Sequence, residues 1–232
     1  MSFAIFNIDG ILFLLRWLHI FFGIIWIGHL YYFNFVQGAF FAETDATTKS
    51  NAIQKLVPRA LWWFRWGAMF TLITGLIMLM GMAHQNMNTF ETARGVLILT
   101  GVALALFMWF NVWFVIWPAQ QVVIASATAV AQGKAADSTA AARGARAMVC
   151  SCTNVLFSIP LIFFMTASTH LPLVVTTQSF IPLIAFMGIL ILGLELNALK
   201  GKTGPMTTVK GVIHMGFFLT VVMYLAMELL TK

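Results

Sequence analysis

Five histidines and one arginine set in apolar sequence are the residues of this chain best placed to do chemistry. His19, His29, His84, His170 and His214 all lie within or beside long apolar runs. Ionisable groups are costly inside a bilayer, so each marks a functional hypothesis by default. Imidazoles drawn from different helices can hold the two faces of a haem. At ~1.5 Å of rise per residue, the five sort by depth. His19, His84 and His170 form an outer group, and His29 and His214 an inner pair. Arg16 stands three residues before His19 on the same helical face, where a guanidinium could neutralise a haem propionate. One haem b at the outer level, or two with a second at the inner level, would follow. The same residues would also suit a metal site or a proton relay. They would equally suit imidazoles that only hydrogen-bond between helices.

A second constellation is Met78, Met80, Met82, His84 and Met87. Thioether and imidazole donors suit Cu(I), so copper is a candidate ligand. Alternate methionines fall on different faces of a helix, however, and Met is a common gap-filler. Cys150 and Cys152 are one residue apart, a poor geometry for a disulfide, and packing accounts for them. No Ser-His-Asp set, P-loop or dinucleotide fingerprint is present.

The elements that must carry these groups are membrane helices. Of 232 residues, 61% are hydrophobic and 9% charged. That is far below the quarter or so of charged residues in a soluble domain. Six runs reach the ~20 apolar residues a span requires: about 11–37, 60–83, 95–117, 147–169, 180–199 and 209–230. The fold class is therefore all-α, a single transmembrane bundle over residues 1–232. Pro118 is expected to end the regular part of the third span, with an amphipathic continuation beyond it. Pro160 is expected to kink the fourth. The N-terminus lacks the basic n-region and small-residue cleavage site of a signal peptide, so the first helix is expected to serve as its own insertion signal.

Orientation follows the basic residues. Lys49, Lys55 and Arg59 lie in the first connection, Lys134, Arg143 and Arg146 in the third, and Lys200, Lys202 and Lys210 in the fifth. The even connections contribute only Arg94. The odd connections should be cytoplasmic and both termini periplasmic, in a bacterial inner membrane. The net charge of +6 belongs to these membrane-edge loops, and no nucleic-acid partner is implied. Trp62, Trp63 and Trp66 fit an interfacial aromatic belt. Asn34 and Asn111 are expected to hydrogen-bond between helices.

Several segments resemble the membrane domain of the PuuD-type urate oxidase family. LRWLHIFFGIIWIGHLYYFNFVQ (15–37) resembles its first helix, and RALWWFRWGAMFTLITG (59–75) its second. NVWFVIWPAQQVV (111–123) resembles its third-helix ending. IPLIFFMTASTHLP, closing the stretch 153–172, resembles its fourth. The resemblance implies that His19 and His170 are family positions, with His29 and His214 less direct carry-overs. Thr153 stands where family members often carry a histidine. Full-length members carry a C-terminal c-type cytochrome domain, whereas this sequence holds no Cys-x-x-Cys-His. The first helix also resembles that of HemJ-type membrane haem proteins. The resemblance implies electron transfer between a membrane donor and an outer acceptor, with other redox subunits or a cytochrome c as partners. Urate oxidation through a separate cytochrome, a non-redox accessory subunit, copper handling and a homo-oligomer remain open alternatives.

Overall fold

The computed structural model describes residues 3–231, which contain no β-strand. Six helices are long and apolar enough to cross a membrane. They are α1 (Ile8–Glu43), α3 (Val57–Gln85), α4 (Ala93–Ala131), α5 (Ala140–His170), α6 (Thr177–Lys200) and α7 (Val209–Leu230). Each occupies an expected span. Helices suit such segments because lipid offers backbone N–H and C=O groups no partner, so every pair must close within the chain. One further helix, α2 (Ala46–Lys55), fills the first connection. It is short and polar, and its N-terminus is capped by Asp45, whose carboxylate accepts from the Thr47 and Thr48 amides.

Pro118 does not end its helix. The turns just before it open into a π-helical segment, Asn111–Ile116, and the Trp117 amide bonds back to Val112 O, five residues earlier. Pro118 then falls in the first turn of the resumed α-helix, where its missing N–H is not called upon. A second π-segment, Tyr32–Gln37, interrupts α1. Such bulges are rare and gather at functional sites.

The connections rich in Lys and Arg share one end of the bundle, here the basic end. α5 is the central helix, packed against α4, α6, α7 and the later part of α1. Phe157 and Phe164 of α5, Leu104 and Met108 of α4, Leu183 of α6 and Met223 of α7 are fully enclosed. Outward-facing Ile24, Phe114, Ile189, Phe217 and Leu229 remain exposed, as a lipid-facing surface should. Pro160 lies inside α5 and is itself buried.

α1 and α3 pack closely against each other. Gly67, Thr71, Thr74 and Gly75 line one face of α3 at the spacing that lets two membrane helices approach. A Cβ added at Gly67 would come within 3.0 Å of the Trp26 backbone nitrogen. Polar ties fasten α1 to α5: Tyr31 Oη to Ser158 Oγ at 2.9 Å, Asn34 Nδ2 donating to Ser151 Oγ at 2.7 Å, and Cys152 Sγ donating to Asn34 Oδ1 at 3.9 Å.

Candidate functional site

His19 sits on the α1–α3 seam. Its Nδ1 lies 2.9 Å from the Thr71 carbonyl and 3.1 Å from Thr74 Oγ1. A carbonyl only accepts, so Nδ1 carries the proton. The Thr74 hydroxyl gives its own proton to Phe70 O at 2.7 Å, leaving a lone pair for His19. The tautomer is thus fixed from outside the ring, and in the neutral ring Nε2 is the atom with a free lone pair. A metal-ligating histidine has this arrangement, one nitrogen donating to a carbonyl and the other directed to the metal. The ring edge rests on Gly75, where an added Cβ would meet His19 Cε1 at 3.0 Å. The Thr-Gly pair on α3 therefore both holds the ring and makes room for it.

His170 ends α5 and is exposed. It shares a level with His19. α1 and α5 run antiparallel and are pinned at Tyr31–Ser158. His19 lies twelve residues before Tyr31 and His170 twelve after Ser158, so both stand roughly 18 Å from the pin towards the same end. No contact between the two rings appears among the described residues. His84 is exposed near the end of α3, about three turns beyond the level of His19. Arg16 is exposed on α1 and has no hydrogen-bond or ion-pair partner among the described residues. Met78, Met80 and Met82 are spread over the end of α3 and Met87 lies in the turn beyond it, with Met80 and Met87 outward.

The inner pair is not brought together. His29 donates from Nδ1 to Ile25 O at 2.7 Å and lines a cleft between α1 and the start of α3. His214 is exposed on α7, which packs against α5 and α6. His29 thus faces the α3 side, while His214 points away from the bundle. Among the described residues, no group of three or more His, Cys, Asp and Glu side chains converges as a metal site, though a haem needs only one or two axial donors.

Two features went unread in the sequence. The first is a buried polar network at the π-segment of α4. Asn111 Nδ2 donates to Asn154 Oδ1 and to Glu195 Oε2, both at 3.0 Å, and Asn154 Nδ2 donates to Met108 O. Asn111 was expected to bond between helices and does so. Its meeting with Glu195 of α6 depends on tertiary packing. Glu195 Oε1 and Asn111 Oδ1 are buried with no hydrogen-bond partner among the described residues. The second is Arg65, whose guanidinium lies 3.4 Å from the centre of the Trp117 ring and 5.3 Å from that of Trp113. This cation–π sandwich holds a charged group beside apolar helices. Trp66 packs edge-on against Trp113, so it serves this cluster, whereas Trp62 and Trp63 face outward.

The family model described as urate oxidase N-terminal matches residues 79–226. The chain belongs to that family. No curated protein and no solved structure matches it. Within the urate oxidase N-terminal match lie His84, His170, His214 and the Asn111–Asn154–Glu195 network. Arg16, His19 and His29 precede it. Of the four segments that carried the sequence resemblance, 111–123 and 153–172 fall inside the matched region, and 15–37 and 59–75 before it. Membership of the urate oxidase N-terminal family on a helical bundle makes the chain a multi-pass membrane protein of an oxidoreductase-related family.

Proposed function

We propose that the chain is the haem-bearing membrane part of a urate-oxidase-type redox system, in which His19 would hold the iron of a b-type haem. The carrying observation is the His19 ring: Nδ1 is committed to Thr71 O, so Nε2 stands ready to ligate. Haem, when bound, supplies one-electron exchange at its iron. The chain's own part is to fix the imidazole. Thr71 and Thr74 set its tautomer, Gly75 admits its edge, and the α1–α3 seam keeps it out of bulk water. His170, at the same level, is the second candidate donor. Arg16, one turn beyond His19 and unpaired, supplies a cation for a propionate. The basic connections support an inner-membrane orientation with His19 in the periplasmic half.

The family description favours a second, catalytic reading on the same scaffold. In it, urate or a related heterocycle is oxidised, and a separate cytochrome takes the electrons. Absorption spectra of the purified protein, oxidised and dithionite-reduced, with pyridine haemochrome quantitation, test the first reading. A b-type reduced spectrum that is lost in His19→Ala supports it. A folded, colourless protein overturns it. Urate-dependent reduction of added cytochrome c tests the second.

A further inference from the structure

The second histidine of α1 occupies a setting of its own. Ten residues after His19, or roughly 15 Å along the helix, His29 lines a cleft of about 500 Å³ between α1 and the start of α3. Small-molecule sites usually measure 300–1,000 Å³. Gly28 contributes no side chain to the cleft, and a Cβ there would meet nothing within 4 Å. Ile24, Leu56 and Trp63 form apolar rims, each about half exposed or more. The cleft is therefore open to the side, towards lipid. Tyr32 and Arg59 complete it at the basic end.

We infer that this cleft is a binding site for the head ring of a membrane quinone or quinol. Its apolar rims and lateral opening fit a ligand that arrives through the bilayer. Trp63 and the bare face at Gly28 offer flat walls to a flat ring. The polar groups match both oxidation states. Tyr32 and Arg59 can donate to a quinone carbonyl. His29 has its Nδ1 proton committed to Ile25 O, so Nε2 of the neutral ring accepts from a quinol hydroxyl. A phosphodiester headgroup offers acceptors only, and this cleft presents it with one cation and a histidine whose free nitrogen is an acceptor. The site is separate from the one at His19 and stands whether or not a haem is held there.

The test is a titration of the full-length, detergent-purified protein with decylubiquinone, following quenching of tryptophan fluorescence. Saturable quenching is expected, with apparent affinity falling at least tenfold in Gly28→Leu, whose Cβ meets nothing within 4 Å and whose side chain takes up space in the cleft. A similar loss is expected in His29→Leu, and a smaller quenching amplitude in Trp63→Phe. Circular dichroism and size-exclusion profiles equal to those of the unsubstituted chain qualify each variant. Should Gly28→Leu misfold, His29→Leu carries the same comparison. Non-saturable quenching, or affinity unchanged in the folded variants, overturns the site. Displacement of decylubiquinone by stoichiometric phosphatidylglycerol overturns it in favour of a lipid headgroup. Haem content is read separately in the same samples, so loss of either assignment leaves the other standing.

Discussion

The hydroxyl of Tyr31 lies 2.9 Å from that of Ser158, and with the Asn34–Ser151 bond it sets the register between the first and the central membrane helix. Ser158 in turn donates to Val155 O at 2.7 Å, so the Tyr31 hydroxyl is the donor to Ser158 Oγ. Stacking of Tyr31 on Phe35 steadies the phenol. Because the helices are antiparallel, equal steps away from the pin bring His19 and His170 to one level. A slip of one residue would part them by ~1.5 Å, one helical rise.

Tyr31→Phe removes this bond and keeps the ring. Interhelical hydrogen bonds in membrane proteins average about 0.6 kcal/mol and reach about 1.7. A loss in that range is expected from unfolding titrations in mixed micelles, with Ser158→Ala giving a similar loss. The double variant should lose no more than either alone, since the two share one interaction. Fully additive losses would show that the residues act independently.

Gly75 is where the helix pair makes room for an imidazole. An added Cβ would lie 3.0 Å from His19 Cε1, closer than carbon atoms normally pack, so Gly75→Ala must displace the ring by a few tenths of an ångström. The expected result is a lower haem-to-protein ratio and a shifted reduced spectrum. Gly188→Ala is the control, since nothing lies within 4 Å of a Cβ there. Unchanged haem content in Gly75→Ala would separate His19 from the cofactor.

The six spans were legible because length and apolarity suffice to define them. Counting residues gives each histidine an expected depth. It does not give what each histidine faces, because the partner lies on another helix. Nothing near His214 in the sequence says that it points away from the bundle. Nothing near Glu195 says that Asn111, 84 positions earlier, meets it. Pro118 misled for a local reason. Proline statistics describe α-helices, and a π-segment just before it removes the conflict. α2 was missed because its residues are polar, and its one clear signal was Asp45 ahead of Thr47 and Thr48.

That cap gives a pH prediction. Hydrogen bonds from the Thr48 hydroxyl, then from the Thr48 and Thr47 amides, hold the Asp45 carboxyl below the ordinary aspartate range. A depressed folded value means the group stabilises the folded form above the unfolded pKa of about 3.9. That contribution fades as pH falls through the lower folded value. Asp137, accepting from the Thr139 hydroxyl and amide near the start of α5, behaves alike. Amide exchange at Thr47 and Thr48, corrected for intrinsic rates, should be slow at pH 6 and quicken below about pH 4. Asp45→Ala should show the quick rate at both. Equal protection in Asp45→Ala at pH 6 would remove the cap from the account of α2.

The network at the π-segment gives the sharpest contrast between two substitutions. Asn111 is the shared donor to Asn154 and Glu195. Asn111→Ala leaves both acceptors buried without it, and each orphaned polar group costs about 1–3 kcal/mol. Glu195→Gln acts differently. A carboxamide oxygen can still accept from Asn111 Nδ2, while its NH₂ can donate to Asn111 Oδ1, which has no partner among the described residues. The expectation is clear destabilisation for Asn111→Ala and a neutral or positive change for Glu195→Gln, read as midpoints of thermal unfolding in detergent. If Glu195→Gln instead falls as far as Asn111→Ala, the network depends on the carboxyl group itself. The unpartnered Glu195 Oε1 would then hold something an amide cannot.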